Sequence, residues 1–271
     1  MSVASSLSKL AFCRRLARTP SSFLRLVLHS KAATKRGVAL AATAQNTEPV
    51  EYLLNLANAP NSTALRTYAG DLSILYEIFW QQSYRLPQLQ ASSFHTVVDI
   101  GANVGLAALF FLEKFSASRL VCVEPEPANF QLLQHNLRGT SAVALQAALS
   151  ATDGVVRIDS SPLAYNAKVS AETGTTEVAA MSMPTLLQSQ DLAWVDLLKI
   201  DIEDYEQHVF FGPTGWLAQV GVLLIEIHSP ASQVAVRHAV EAHGFTWEQA
   251  AGKQPGLGLF VARNPHRPHA S

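Results

Sequence analysis

The chain has 271 residues, which is long enough to bury one substantial hydrophobic core with a small appendage. Its composition, 48% hydrophobic and 15% charged, is typical of a compact globular protein and excludes an intrinsically disordered one. The net charge of −1 gives no sign of nucleic-acid binding, and the two distant cysteines exclude a disulfide framework. No apolar run reaches the ~20 residues that span a bilayer, so we expect a soluble, cytoplasmic protein.

Residues 1–47 form a basic extension, with eight Lys and Arg residues and no acidic residue before Glu48. This pattern is typical of an organellar transit peptide, of a basic amphipathic helix in peripheral contact with an acidic surface or a membrane, or of a helical segment that precedes the domain. The sequence leaves these alternatives open, and the first would place the protein in an organelle. Because every motif begins later, we expect the extension to be dispensable for ligand binding.

Residues 48–92 are predicted to form a small cap before the main domain. Glu51–Ala57 has the pattern of a short helix, and Ala64–Tyr68 that of a strand. The amphipathic stretch Asp71–Trp80 predicts a helix with Asp71 as its N-cap.

The main domain, predicted over residues 93–264, opens with the strand His95–Ile100, a glycine turn and the helix Val104–Phe115. Gly101 and Gly105 permit positive φ and close approach of a ligand to the backbone. The free N–H groups at the helix start favour a partner with negative charge or lone pairs. This arrangement is typical of a cofactor site at the carboxyl end of a parallel strand.

An acidic residue follows the second predicted strand, Arg119–Val123. Glu124 comes 25 positions after Asp99, close to the offset of about 20 residues at which nucleotide-binding βαβ units place an acid on ribose hydroxyls. The alternative is that Glu124 caps the next predicted helix, Pro127–Leu137, and the two roles are compatible.

The rest of the main domain continues to alternate strands and helices, which predicts an α/β fold with a doubly wound, mostly parallel sheet. We expect strands at Val143–Ala147, Trp194–Asp201 and Val220–Ile227, helices at Pro184–Gln190 and Val234–Ala242, a hairpin at Asp153-Gly154, a flexible loop over 160–177, an antiparallel pair at Phe245–Glu248 and Leu257–Ala262, and a tail over 265–271.

Polar side chains gather where two predicted strands end. Lys199, Asp201 and Glu203 alternate along one strand, so they face one crevice, and Glu226 and His228 end the next strand. Charges in so apolar a setting are costly unless they are paired or functional. An ion pair of Lys199 with Asp201 or Glu203 is therefore the structural alternative to catalysis. Glu226 and His228 could supply a general base or a loose divalent-metal site.

Four of these motifs occur together and in order: VVDIGANVG at 97–105, VEPEPANF at 123–130, LLKIDIE at 197–203 and IEIH at 225–228. With residues 70–79, they resemble the FkbM family of S-adenosylmethionine-dependent methyltransferases over roughly residues 64–262.

The resemblance implies a Rossmann-like class I methyltransferase fold with seven strands and S-adenosyl-L-methionine as cofactor. It implies methylation of a hydroxyl on a sugar or secondary metabolite, so that the partner is a small molecule or glycan and not a nucleic acid. Residues implied to bind the cofactor are Asp99, Gly101, Asn103 and Gly105 at the methionine part, Glu124 at the ribose, and Ala147 and Ala148 at the adenine.

The resemblance also places Lys199, Asp201, Glu203, Glu226 and His228 in the reaction crevice. Positioning of the acceptor carries most of the catalysis, and a base assists as charge develops on its hydroxyl. We rank Glu203 first as the base, then Glu226, then His228. No metal ligand is assigned, and a divalent metal is the less favoured alternative.

One residue departs from the family pattern. The family usually has glycine where this chain has Asp204, so we expect a narrowed acceptor entrance, and Asp204 with Gln207 has the form of a capping pair. The departure keeps a catalytically silent cofactor-binding module open as an alternative function. A nucleotide-dependent oxidoreductase is disfavoured because the turn lacks the G-x-G-x-x-G spacing.

Overall fold

The computed structural model describes residues 3–36, 48–57, 62–90, 94–159, 168–169 and 174–266. Most of the loop predicted over 160–177 and of the tail predicted over 265–271 lies outside the described residues.

Eight α-helices are present in the described part of the chain. They are α1 Val3–Leu16, α2 Pro20–Arg36, α3 Asp71–Leu75, α4 Leu106–Phe115, α5 Pro127–Asn136, α6 Met183–Ser189, α7 Glu206–Phe210 and α8 Pro230–Ala242. Helix α3 continues into a π-helical turn, Tyr76–Trp80, and short 3₁₀ turns occupy Pro87–Leu89 and Gly215–Gln219.

The described residues also form thirteen strands. They are β1 Pro49–Tyr52, β2 Thr63–Arg66, β3 Thr96–Ile100, β4 Arg119–Val123, β5 Ala142–Leu145, β6 Ala148–Ser150, β7 Gly154–Asp159, β8 Lys168–Val169, β9 Thr176–Ser182, β10 Val195–Ile200, β11 Val220–Ile227, β12 Thr246–Gln254 and β13 Leu257–Arg263.

The main sheet has seven strands in the order β12-β13-β11-β10-β3-β4-β5. The central pairs are parallel, and β13 is antiparallel to both of its neighbours. Strands β3, β10 and β11 are almost wholly buried because helices cover both faces of the sheet. The predicted doubly wound, mostly parallel sheet is confirmed.

A smaller sheet in the order β6-β9-β7-β8 lies between β5 and β10 in the sequence. The turn at Asp153-Gly154 is present, but the predicted hairpin is wrong because β6 and β7 do not pair with each other. Both pair with β9, β6 in parallel and β7 antiparallel. At this turn the chain therefore passes from one edge of β9, where β6 pairs, to the other edge, where β7 pairs.

The region before the main domain differs from prediction at two points. Residues 49–52 form a strand paired with β2, and not a helix, because alternate side chains are buried at Tyr52, Leu54 and Leu56. Gly70, not Asp71, is the N-cap of α3. Asp71 is instead fully buried and accepts two hydrogen bonds of 3.0 Å from the Arg66 guanidinium.

The two N-terminal helices pack onto the main domain. Phe12, Leu16 and Leu26 are buried in the same hydrophobic cluster as side chains of α4 and β3. The Tyr76 hydroxyl lies 3.1 Å from the Cys13 sulfur and 2.5 Å from the Ser30 hydroxyl. Residues 3–36 therefore contribute to the folded core.

Candidate active site

A cavity of about 410 Å³ opens where β3, β4, β10 and β11 end at their carboxyl termini. Its size is typical of a small-molecule site, for which about 300–1,000 Å³ is usual. The turn after β3, Glu124 after β4 and the segment at Ala147 line one end, and residues after β10 and β11 line the other. Parallel strands bring these distant parts of the sequence to one edge.

The glycine turn after β3 fixes the floor of the cavity. Gly101 has φ +73°, and a Cβ there would collide with the carbonyl oxygen of Asp201. Gly105, with φ +88°, is the N-cap of α4, where a Cβ would lie 2.9 Å from a Leu133 methyl group. Gly101 lines the cavity but Gly105 does not, so Gly105 is needed for the turn and helix packing.

Glu124 and Asn103 present oxygen atoms at the floor. The Asn103 N–H donates to Glu124 Oε2 at 2.8 Å, and the Glu126 N–H donates to Oε1 at 2.9 Å. Burial raises the pKa of Glu124 to about 7, against the opposing effect of these hydrogen bonds. The buried Asn103 Oδ1 has no hydrogen-bond partner among the described residues. An unsatisfied acceptor in a cavity wall is an expected feature of a site for a hydrogen-bond donor.

The helix-capping alternative for Glu124 is wrong. The N-cap of α5 is Glu126, whose carboxylate accepts from the Asn129 N–H at 2.6 Å. Glu124 instead lines the cavity, as do Ala147 and Ala148.

Lys199 and Asp99 form a buried ion pair, with Nζ 3.1 Å from Asp99 Oδ1 and 3.6 Å from Asp201 Oδ2. Burial alone would lower the pKa of Lys199, but the two carboxylates outweigh it and raise that pKa. The ammonium also donates to the Gly101 carbonyl at 2.8 Å. Lys199 lines the cavity, whereas Asp99 is fully buried and does not. Asp99 therefore acts on the glycine turn through Lys199.

His228 lies among three carboxylates. Its Nδ1 is 2.8 Å from Glu206 Oε1, and its Nε2 is 3.7 Å from Asp201 and 3.8 Å from Glu203. Burial lowers the pKa of His228, but the hydrogen bond and charge of Glu206 and the other two acids outweigh burial and raise it to about 9. The imidazole is therefore protonated at neutral pH.

The same side chains include three potential metal ligands. One ligand atom each from Asp201, Glu203 and His228 lies within 4.8 Å of the others, a spacing that one cation could share. A protonated imidazole is itself the cation that these carboxylates face, and a metal would have to displace its proton.

Three further residues of the site were not identified from the sequence. Glu206 is fully buried beneath His228, and Ser232 Oγ donates to its Oε2 at 2.9 Å. Glu77 and Tyr84 line the cavity from the region before β3. The i, i+4 spacing of Ser73 and Glu77 puts them on one helical face, but no sequence signal indicates that this face meets the cavity.

Glu226 completes the far end of the cavity. Burial raises its pKa to about 7, and the Asp201 charge adds to this effect. Glu77 also has a raised pKa, from burial and then Asp201. Burial therefore makes both of these carboxyl groups easier to protonate than an exposed glutamate.

Asp204 does not line the cavity, so the expected narrowing of the entrance is wrong. Its φ is +77°, and that of Glu203 is +52°. A left-handed position explains why the family favours glycine there. Helix α7 begins at Glu206 with Tyr205 as N-cap, so the predicted capping pair of Asp204 and Gln207 is also wrong.

The strand order, the antiparallel β13 and the cavity at the carboxyl ends of the parallel strands define a Rossmann-like class I methyltransferase fold. A family model, the Methyltransferase FkbM domain, matches residues 99–250. The chain belongs to the FkbM methyltransferase family.

Two curated relatives are similar in sequence. The hexuronic acid methyltransferase AglP of Haloferax volcanii is 30% identical over 154 residues, which cover 55% of this chain and 62% of AglP. The methyltransferase sdnD of Sordaria araneosa is 33% identical over 96 residues, 34% of each chain. The chain thus spans less than two thirds of either relative.

Two solved structures resemble this fold at a distance. Aeropyrum pernix fibrillarin with bound S-adenosyl-L-methionine is 11% identical, with a TM-score of 0.45 over 82% of this chain and 86% of its own. A Pyrococcus furiosus methyltransferase is 9% identical, with a TM-score of 0.41 over 86% of this chain and 97% of its own.

Proposed function

We propose that the protein binds S-adenosyl-L-methionine in this cavity and methylates a hydroxyl group of a sugar or secondary metabolite. The observation that carries the proposal is that one cavity joins Glu124 and the unsatisfied Asn103 Oδ1 to Glu226 and His228. Glu124 can accept hydrogen bonds from ribose hydroxyls, and Asn103 Oδ1 from an ammonium group. Family membership supports methyl transfer, and the similarity to a hexuronic acid methyltransferase supports a sugar acceptor.

When bound, the cofactor supplies an electrophilic methyl carbon. The chain's own residues then have to position the acceptor hydroxyl and accept its proton. Glu226 is the preferred base, because a pKa of about 7 leaves a large fraction of it ionised at neutral pH. His228, with a pKa of about 9, already holds a proton and donates a hydrogen bond to the acceptor. This order differs from the sequence-based ranking, in which Glu203 came first.

The other site residues have supporting roles. Lys199 holds the Gly101 carbonyl and thereby the shape of the floor. Asp201 faces both Lys199 and His228. Glu203 also lies near the positive charge of His228 and stabilises it. Glu206 fixes the His228 ring through Nδ1, so that Nε2 is the atom presented to the cavity.

Calorimetry with S-adenosyl-L-methionine tests the cofactor assignment. We expect a Kd in the low micromolar range, about −8 kcal/mol, and clearly weaker binding by Glu124→Gln and Asn103→Ala. Unchanged affinity in both folded variants would contradict the assignment. Binding of NAD in place of S-adenosyl-L-methionine would favour an oxidoreductase.

Radiolabelled methyl transfer to uronic acids, neutral sugars and hydroxylated metabolites tests the reaction. Glu226→Gln should lower turnover by roughly 10²–10⁴-fold with cofactor affinity nearly unchanged, whereas Glu77→Gln is the matched control on the same cavity wall. Equal losses in both variants would refute Glu226 as the base. Cofactor binding without transfer to any acceptor would favour a silent binding module, and loss of activity with chelator would favour a metal.

A further inference from the structure

Helices α1 and α2 present an exposed surface of mixed apolar and basic character. On α1 the exposed side chains include Leu7, Leu10 and Arg14, spaced i, i+3 and i+7. On α2, Leu24 and Leu28 are 55% and 52% exposed at i and i+4. Each helix therefore has one outward stripe opposite the edge that it buries.

The two stripes belong to one face of the molecule. Both helices bury their opposite edges in the same hydrophobic cluster, through Phe12 and Leu16 of α1 and Leu26 of α2, and they contact each other directly. Eight large apolar side chains are exposed among the described residues, and half of them lie on these two helices. The remaining four are spread over four other elements or loops, so this face is the only concentration of exposed leucine in the part of the chain that is described.

Charge is segregated along the chain in the same way. Residues 1–47 contain eight of the 20 Lys and Arg residues and none of the 21 Asp and Glu residues, so they carry +8 while the rest carries −9. The ion pairs of the described residues leave Arg14, Arg25 and Lys31 without a carboxylate partner. An anionic surface would attract this face and repel the remainder of the molecule.

We propose that the outer face of α1 and α2 docks on a membrane surface that contains anionic lipid headgroups. Arg14, Arg25 and Lys31 contact headgroup phosphates and carboxylates, and Leu7, Leu10, Leu24 and Leu28 enter the boundary between headgroups and acyl chains. Combined basic and apolar contact distinguishes a bilayer from nucleic acid, which offers phosphates but no apolar layer. Among the described residues, no helix is long and apolar enough to cross a membrane, so the proposed contact is peripheral.

Cosedimentation of the full-length protein with lipid vesicles tests the proposal. We expect binding to phosphatidylcholine vesicles that contain phosphatidylserine, and little binding to phosphatidylcholine alone. Arg14→Gln/Lys31→Gln should lower the vesicle affinity at least about tenfold, because each basic residue near such a surface contributes roughly fivefold. The matched control, Arg85→Gln/Arg138→Gln, removes the same charge from exposed positions on the body and should bind like the unmodified protein.

A second pair of variants tests the apolar contact. Leu24→Ser/Leu28→Ser should also weaken vesicle binding, whereas Val155→Ser/Val234→Ser, which changes exposed side chains elsewhere, should not. Equal effects of both charge variants would overturn the proposal in favour of non-specific attraction. Unchanged vesicle binding by the leucine variant, or equal affinity for a DNA duplex, would overturn it in favour of a general polyanion site. A concentration-dependent dimer that the leucine variant abolishes would overturn it in favour of a second copy of this chain.

Discussion

Replacement of Lys199 by methionine should destabilise the fold, because it leaves Asp99 as an unpaired buried charge. Asp99 is fully buried and Lys199 is 3% exposed, with 3.1 Å between Nζ and Oδ1. Neither Asp99 oxygen has a hydrogen-bond partner among the described residues apart from this ion pair. Removal of one member of a buried pair costs about 3–5 kcal/mol, so we expect Lys199→Met to lower the free energy of unfolding by that amount.

The reciprocal change should cost less. In Asp99→Asn, Lys199 keeps Asp201 at 3.6 Å and the Gly101 carbonyl at 2.8 Å, so its charge retains partners. The double variant removes both buried charges, so its cost should fall short of the sum of the two single costs by about 2 kcal/mol. This difference is the coupling energy of the pair.

Urea unfolding at neutral pH, followed by tryptophan fluorescence, measures the free energy of unfolding of the parent, the two single variants and the double variant. If the slope of the unfolding free energy against urea concentration is the same in all four proteins, their free energies of unfolding can be compared directly. The exposed pair Arg157–Glu177, at 2.9 Å, is the matched control, and Arg157→Met should cost no more than about 1 kcal/mol. Additivity of the Asp99 and Lys199 costs within about 0.5 kcal/mol would refute the ion pair as a structural element.

Three further predictions follow from burial and backbone geometry. The folded-state pKa of Glu124, about 7, exceeds its ordinary value of 4.5, so its contribution to stability is complete below pH 4.5 and is lost as pH rises through 7. Unfolding of the parent and of Glu124→Gln at pH 5 and pH 8 should show a larger loss in the parent, because Glu226, whose pKa is also raised to about 7, titrates in both proteins. Asp204→Gly should raise the free energy of unfolding by about 0.5–1 kcal/mol, because relief of a left-handed φ exceeds the extra chain entropy of glycine; a lower urea midpoint would contradict this. A chain that begins at Glu48 should aggregate or unfold, because it lacks Phe12, Leu16 and Leu26, each worth about 1.5–3 kcal/mol. Circular dichroism and gel filtration would detect this, and a folded, cofactor-binding fragment would contradict it.

The main sheet was predictable because its signal is local. The apolar strands and their turn residues gave β4 and β11 with the bounds that the structure has, and β3 and β10 within one or two residues. Alternation of strands with helices then implied parallel pairing. The sequence also predicted that the acids and His228 lie close together, because the carboxyl ends of parallel strands meet at one edge of the sheet.

Features that depend on non-local contact were missed. Nothing near β6 indicates that β9, some 30 residues later, pairs with it. The burial of Glu206 depends on α8, which brings Ser232 to it, and the charge state of His228 depends in turn on Glu206. The packing of residues 3–36 onto the main domain was missed for the same reason, because basic composition says nothing about Leu26, which is fully buried beneath the exposed stripe.

The smaller sheet allows the two walls of the cavity to diverge separately in evolution. It is inserted between β5 and β10 and, among the described strands, pairs with none of the seven in the main sheet. It has its own apolar cluster of Ala148, Ile158 and Val178, and Leu149 and Ile158 reach the cavity wall. None of the strands β3, β4, β10 and β11 takes its register from this smaller sheet. Selection for a different ligand can therefore reshape one wall while the residues held by the main sheet stay in place.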